Sequence, residues 1–311
     1  MSELNLQKHL AIDTPKIAVL LATYNPDLQY LEEQVASINA QTGVEILLYW
    51  SDDQSDDSIL TKTKIIMDKY PHINVSTGSN RKGVNRNFLH LLESASDPSI
   101  DYFAFSDQDD LWNTDKLMLH AAALAPFQGE ISATHSTPLI MNNGRVTKGR
   151  TRCQRHTITS LLAENCFQGC TMVLTNSARR LVLSLNSDDI AWYDWWIGCL
   201  ISISGYPIHV SSRDTFYRVH KNNLVGIPKG PVRIKNYFSK NYTKSFAQAE
   251  NLLKFCQANG FPHDYEVIRR WIQGNTGSFL SRVMFALTDV RRRSRLLEET
   301  GRRIAIFLRS N

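Results

Sequence analysis

The segment Ser106-Asp107-Gln108-Asp109-Asp110 places three carboxylates within four residues at the end of an apolar run. Like charges that close repel one another unless a cation sits among them. Oxygen ligands with no histidine or cysteine alongside suit magnesium or manganese, ions that keep waters and take diphosphate oxygens at the same time. A solvated acidic turn capping a helix from about Asn113 would use the same residues. Taken alone, the cluster leaves both readings open.

Other polar residues stand at comparable places. Asp52 and Asp53 close an apolar run in SDDQSDD, where a carboxylate can accept hydrogen bonds from a base or a ribose. Ser55 or Asp56 is expected to cap the helix that follows, which leaves Asp53 as the ligand candidate. Thr23, Tyr24 and Asn25 follow the first apolar run. Arg81 and Lys82 precede a glycine and a helix start, a combination suited to phosphate, although a solvated surface pair looks the same in sequence. Asp194 stands among Trp192, Tyr193, Trp195 and Trp196. Burying a carboxylate there without a role would be unfavourable, and apolar surroundings would raise its pKa. That favours a general base acting on a hydroxyl, with aromatic faces for a sugar ring; the other reading is a helix cap. His220, in YRVHKNN, has the reach of a ligand for a metal or a diphosphate, yet by residue type alone it is a loop histidine.

These residues need a scaffold that gathers them, and the apolar pattern supplies one. IAVLLAT from Ile17, VEILLYW from Val44, INVST from Ile73 and DYFAFS from Asp101 read as buried strands. Amphipathic helices are expected between them, over about 28–40, from near Asp56 to before Pro71, and over about 84–94. Strand and helix alternating in this way predict a mainly parallel α/β sheet. Such sheets bind ligands beyond the carboxyl ends of their strands, where Thr23-Tyr24-Asn25, Asp52-Asp53, Asn80-Arg81 and Asp107 to Asp110 all fall. Further on, ISATH and PLIM are weaker strand candidates, with a turn at Asn142-Asn143-Gly144 and a helix near Ile158. GCTMVLT from Gly169 reads as a strand and AWYDWWIGCLISIS from Ala191 as a helix.

A chain of 311 residues holds one large core with a smaller appendage. We expect an N-terminal extension over 1–15, a catalytic domain over 16–228 and a helical, basic extension over 229–311. The net charge of +5 is concentrated at the end: from Arg282 onward there are eight arginines against three acids. No stretch approaches the roughly 18 to 20 apolar residues of a membrane span, and the N-terminus lacks a signal-peptide layout. A cytoplasmic protein is expected. The five cysteines show no C-x-x-C pair, and Cys166 and Cys170, which could share a helix face as a metal half-site, read as buried thiols. No G-x-G-x-x-G and no G-x-x-x-x-G-K-[ST] occurs, which disfavours a dinucleotide site or a phosphate loop.

Seven ordered segments, ATYN, SDDQSDD, NRKGVNRNF, SDQDDLW, FQGCTMVL, YDWW and YRVHKNNLVG, resemble the family 2 glycosyltransferases of GT-A fold. The likeness runs over about 16–226 and is strongest to the bacterial rhamnosyltransferase-like branch that builds surface polysaccharide such as O-antigen or capsule. It implies that Thr23, Tyr24, Asn25 and Asp53 hold the nucleoside, and that Arg81, Asp107, Gln108 and Asp109 border the donor. Asp107 and Asp109 would be the D-x-D pair, with Asp109 the direct ligand of Mg2+ or Mn2+ and His220 near the metal; Asp110 is left as a cap or supporting residue. Asp194 occupies the place of the base in an inverting transfer. Tyr193 and Lys221 depart from the family, which often has His and Gly there. The resemblance favours a dTDP-rhamnose donor and a saccharide acceptor, lipid-linked, which the basic tail would help reach at the inner face of the membrane. The competing readings are a nucleotidyltransferase, which would not need YDWW, and a non-catalytic basic binder of membrane or nucleic acid, which rests on the tail alone.

Overall fold

Ile17, Ala18, Val19, Leu20 and Leu21 are all fully buried, as an uninterrupted apolar run is when its strand is covered on both faces. They form β1 (Lys16–Thr23) of the computed structural model, which describes residues 14–70, 73–75, 83–149, 156–162, 164–185, 190–220 and 241–288. The expected boundary near Pro228, and Asn80, Arg81, Lys82 and Lys221, lie outside the described residues.

After β1 come α1 (Leu28–Asn39), β2 (Glu45–Asp52), α2 (Asp57–Met67), β3 (Ile73–Val75), α3 (Gly83–Ser94) and β4 (Tyr102–Ser106). The expected strands and helices of this half are all present. Asp27 caps α1, its carboxylate accepting the N–H groups of Gln29 and Tyr30 at 3.0 and 3.2 Å, and Leu31, Val35 and Ile38 at helical spacing face the sheet. Beyond β4 lie β5 (Leu111–Trp112), α4 (Lys116–Leu124), β6 (Ser132–His135), β7 (Leu139–Asn142), β8 (Arg145–Lys148) and α5 (Ile158–Leu161). β9 (Val173–Thr175), α6 (Asn176–Leu183), α7 (Tyr193–Ser204), β10 (Tyr206–His209) and β11 (Thr215–Arg218) follow. The chain continues with α8 (Asn241–Asn259), α9 (Pro262–Thr276) and α10 (Phe279–Thr288).

The main sheet has the order β10-β6-β9-β4-β1-β2-β3, parallel except where β9 runs against β4 and β6. Alternation along β1 sends Ile17, Val19 and Leu21 into one apolar layer with α1, α2 and α4. Ala18 and Leu20 enter the other, with α3 and α7. Ala249, Leu252, Phe255 and Cys256 of α8 and Ile268 and Trp271 of α9 join that second layer, so the C-terminal helices share the core of the sheet. A smaller sheet, β5-β11-β7-β8, stands beside the main one. Its β7–β8 hairpin turns at Asn143 and Gly144, both at positive φ (47° and 75°), as a tight two-residue turn requires. GCTMVLT departs from expectation: Gly169–Thr171 is a 3-10 turn, and only Val173–Thr175 is strand.

Among the described residues no helix is long and apolar enough to cross a membrane.

Candidate functional site

β1 is flanked by β2 on one side and β4 on the other, so the chain leaves its carboxyl end in opposite directions and opens a crevice there. The two loops are tied across that opening. Gln108 accepts the N–H of Tyr24 at 2.8 Å and donates to the Tyr24 carbonyl at 3.2 Å. Asn25, at φ 41°, donates its N–H to Ser55 Oγ at 2.7 Å, while its side-chain oxygen accepts the N–H of Asp56 at 2.8 Å. Three of the four expected strand ends thus meet. The fourth, at Asn80-Arg81, lies outside the described residues.

The β2 end shows a division of labour that the sequence did not resolve. Asp52 is an internal brace: its carboxylate accepts from Thr23 Oγ1 (2.8 Å), Ser55 N (2.7 Å) and Ser55 Oγ (2.7 Å), and Thr23 Oγ1 in turn accepts from Trp50 Nε1 (2.9 Å). The Thr23 hydroxyl is therefore engaged inside the protein, and Thr23 borders the crevice as a support. Asp53, also buried, accepts the N–H of Gly83 at 2.9 Å and so holds the first turn of α3 against β2. Gly83 takes φ +74°, a conformation that glycine adopts without strain. Asp56 is the residue preceding α2 but makes no side-chain cap bond, and Ser55 serves Asp52 and Asn25 instead.

At the β4 end the three carboxylates have separate surroundings. Burial, then the charges of Asp110, Asp109 and Asp194, raise the pKa of Asp107 well above the ordinary carboxylate range. Asp109 accepts from His220 Nε2 at 2.6 Å, so β11 delivers the expected histidine to the expected carboxylate. Asp110 is not a helix cap: α4 begins at Lys116 behind Asp115, and Asp110 is fully buried, accepting the N–H of Arg218 at 3.1 Å. Its Oδ2 is buried with no hydrogen-bond partner, and its pKa is raised by burial and then by Asp109. Asp107, Asp110 and Cys170 bring potential ligand atoms within 4.8 Å of one another. A convergent set of carboxylates, two of them with the pKa raised by burial and mutual charge, with an orphaned oxygen and a histidine at its edge, fits a divalent cation.

Residues silent in the sequence hold this cluster in place. Arg218 donates from Nε to the Asp109 carbonyl (2.8 Å) and from Nη2 to Glu33 (2.6 Å), and its guanidinium lies 4.1 Å from the centre of the Tyr30 ring. Lys116, fully buried, donates to the Cys170 carbonyl and to Thr215 Oγ1 (2.9 Å), with its ammonium 3.8 Å from the Trp112 ring centre. Burial lowers its pKa and the surrounding Asp214, Asp110 and Asp107 work the other way.

Asp194 lies in the first turn of α7, and its surroundings are less apolar than the neighbouring aromatic residues suggest. Its carboxylate accepts the N–H of Gly169 at 3.3 Å and that of Trp195 at 2.6 Å. Asn85 of α3 caps the same helix from outside: Oδ1 accepts the N–H of Tyr193 at 3.0 Å, and Nδ2 donates to the carbonyls of Ile190 and Ala191 at 3.2 Å each. Gln248 of α8 accepts the N–H of Ala191 at 3.0 Å. Tyr193 stacks on Phe88 with ring centres 4.3 Å apart and is too buried to be a ligand. Trp195 is half-buried and donates Nε1 to the Leu161 carbonyl at 2.7 Å. Cys166 and Cys170 share no helix, since one precedes and the other lies within the 3-10 turn.

Residues 18–165 match the family model described as Glycosyl transferase family 2. The dTDP-rhamnosyl transferase RfbG of Shigella flexneri is 29% identical over 215 residues, covering 66% of this chain and 73% of that protein. The UDP-Glc:alpha-D-GlcNAc-diphosphoundecaprenol beta-1,3-glucosyltransferase WfgD of Escherichia coli is 26% identical over 163 residues, 52% of this chain and 61% of its own length. Among solved structures, the mannosyltransferase PcManGT from Pyrobaculum calidifontis, in complex with GDP-Man and Mn2+, superposes with a TM-score of 0.56 at 15% identity, over 88% of this chain and 79% of that one.

Proposed function

We propose that the chain, which matches the family 2 glycosyltransferases over residues 18–165 and is rhamnosyltransferase-like in sequence and GT-A-like in fold, carries out an inverting, divalent-metal-dependent transfer of rhamnose from dTDP-rhamnose to a lipid-linked saccharide. The observation that carries the reading is the closeness of two functions: Gly169 donates its N–H to Asp194, and the thiol of the next residue, Cys170, has its sulfur within 4.8 Å of carboxylate oxygens of Asp107 and Asp110. Two adjacent residues, Gly169 and Cys170, thus link the candidate base to the metal-type carboxylates at the β4 end.

Asp107, Asp109 and His220 would hold Mg2+ or Mn2+, whose chemistry is to neutralise charge on a departing nucleoside diphosphate. Tyr24, Asn25 and Asp53 border the place for the nucleoside, with Thr23 behind them. Asp194 takes the proton of an acceptor hydroxyl, whose oxygen attacks the anomeric carbon from the face opposite the leaving group. The bond to the diphosphate oxygen breaks as the new glycosidic bond forms. No second carboxylate is needed, because the diphosphate leaves without a proton. The backbone N–H groups of Gly169 and Trp195 fix the Asp194 carboxylate in place for this step.

The donor is supported by RfbG, named for dTDP-rhamnosyl transfer, and the divalent ion by the Mn2+ in PcManGT. A diphosphoundecaprenol-linked acceptor in the name of WfgD supports a lipid-linked acceptor. The O-antigen or capsule setting rests on the resemblance alone. Membrane contact at the cytoplasmic face is supported by the sequence after α10, with seven arginines against three acids, and by Phe279, Leu280, Met284 and Leu287, which are exposed on α10 itself.

The test is a panel of sugar nucleotides with Mg2+ or Mn2+, scored for nucleoside diphosphate release with a lipid-linked saccharide present. dTDP-rhamnose should be turned over fastest, chelator should stop the release, and Asp194→Asn should lose transfer while still binding donor. Full activity in excess chelator would remove the metal assignment, and turnover retained in Asp194→Asn would remove the base.

A further inference from the structure

Outside the transfer site, a group of nitrogen and sulfur ligands gathers at the carboxyl edge of the sheet beyond β9. His135 ends β6, His209 ends β10, and the two are register partners, with ring centres 5.1 Å apart. His156 stands just before α5, its Nε2 2.7 Å from that of His135. Cys166 follows α5, and one ligand atom from each of His135, His156 and Cys166 lies within 4.8 Å of the others.

The pairing is incomplete from the side of His135. A neutral imidazole has one N–H and one lone pair, so His135 Nε2 either donates to His156 or accepts from it. In either tautomer its Nδ1 is left over, and that atom is buried without a hydrogen-bond partner, in a residue only 2% exposed. An orphaned imidazole nitrogen at such depth is costly unless something binds it. The Phe167 ring, 4.5 Å from His135 and 5.9 Å from His156 between centres, closes one side against water.

We propose that His135, His156 and Cys166 form a zinc site, separate from the carboxylate cluster. Two imidazoles and a thiol are borderline-soft donors, suited to Zn2+ and poor for Mg2+ or Mn2+, and three protein ligands leave a fourth position for water or His209. The ion would tie the end of β6 to both flanks of α5. Ser202 of α7 donates to the His156 carbonyl, and the second flank runs through Phe167 to Gly169, whose N–H holds Asp194. Loading the site therefore braces the loop that supports the base. Cys153 lies three residues before His156 in sequence, outside the described residues, and is no part of the site proposed.

The experiment uses full-length protein stripped of metal and titrated with Co2+ as an optical stand-in for Zn2+, in excess Mg2+ to satisfy the carboxylates. The expected result is one equivalent of Co2+ with tetrahedral bands and a thiolate charge-transfer band, displaced by one equivalent of Zn2+. Both features should vanish in Cys166→Ser and persist in Cys170→Ser and Asp109→Asn. In His156→Gln, which serves if Cys166→Ser does not fold, Co2+ affinity should fall at least tenfold. No charge-transfer band in the unmodified protein would overturn the proposal. So would a band that survives Cys166→Ser, or one lost in Cys170→Ser or Asp109→Asn, which would place the metal at the transfer site. Sugar transfer is not the readout, so failure here leaves the proposed function standing.

Discussion

Replacing Asn85 with alanine separates the placing of Asp194 from the chemistry proposed for it. The side chain makes three hydrogen bonds to the start of α7, one from the Tyr193 N–H and one each to the Ile190 and Ala191 carbonyls. Trp192, the residue at the cap position, supplies no side-chain bond, so Asn85 is the helix's cap supplied from α3. Losing a cap costs about 1 kcal/mol. The two carbonyls lose a donor at about another 1 kcal/mol between them, so the fold should weaken by roughly 2 kcal/mol. Asp194 lies one residue beyond Tyr193, and a shift of about 1 Å in a reacting group costs on the order of 100-fold in rate. Urea denaturation and nucleoside diphosphate release, each with donor varied, should therefore show a lower midpoint and a kcat down by roughly 100-fold. The donor KM should hold, because Asn85 has no bond to the β1, β2 or β4 ends. A lower midpoint with unchanged kcat would refute the positioning argument. An unchanged midpoint would refute the bonds as a cap.

Three other outcomes follow from the structure. Gly169→Ala places a Cβ 1.8 Å from Tyr193 Oη, and that ring, held between Phe88 and Phe105, has nowhere to retreat; we expect a loss of about 1 to 3 kcal/mol and a lower kcat, partly recovered when Tyr193→Phe is added, with unchanged denaturation and kinetics as the contrary result. Burial pushes the Asp214 pKa up, but hydrogen bonds and charge from His120, with Lys116 and Ser212, outweigh it and hold the pKa below its ordinary value of 3.8; the stabilisation is thus complete above that value and lost as pH falls through the folded pKa, so the stability gap between the native chain and Asp214→Asn should be constant near neutrality and close in acid, and a gap that widens in acid would contradict the assignment. Truncation after Thr288 should weaken binding to anionic liposomes at low salt while leaving the fold intact, since Phe285 of α10 packs on Gly274 and Arg282 is itself buried; equal partitioning of both forms would dismiss the tail as a membrane contact.

The reach of sequence reasoning follows the range of the interaction being read. β1, β2 and β4 are buried on both faces, so their apolar runs announce them, and the carboxyl-edge rule then locates Tyr24, Asp53 and Asp107 without a contact being known. β10 and β11 are four residues each and β5 two, too short for a periodic signal, and the side of the sheet they join is decided by packing. The same limit governs the supports. Asn85 meets Tyr193 across 108 residues and Lys116 meets Thr215 across 99, and neither residue has a local feature to mark it. Asp110 is open in sequence between a cap and a supporting residue, because a helix start and an acidic residue stand near one another; its partner, the Arg218 backbone 108 residues on, decides for the support. His220 could be noted in sequence as a loop histidine with the reach of a ligand, and only the family likeness raised it above that, since its pairing with Asp109 depends on β11 lying against β5.

Lys116 shows why so many carboxylates can be kept at one edge. Its ammonium is fully buried, which is unfavourable unless paired, and Asp107, Asp110 and Asp214 all favour its charged form. Asp214 is already committed to His120, Ser136 and Thr215, so a single cation is shared by a group of acids that it cannot neutralise. Burial first, and then the like charge that is left over, raise the pKa of Asp107 and of Asp110, which hold protons more readily than exposed carboxylates do. A divalent cation would replace those protons by charge, in a loop tied to its surroundings by Arg218 at the Asp109 carbonyl, Gln108 at Tyr24 and Lys116 at Thr215. Burial and like charge together suit the site to the proposed cation, while the N–H groups of Gly169 and Trp195 would keep Asp194 fixed for the proposed role of base.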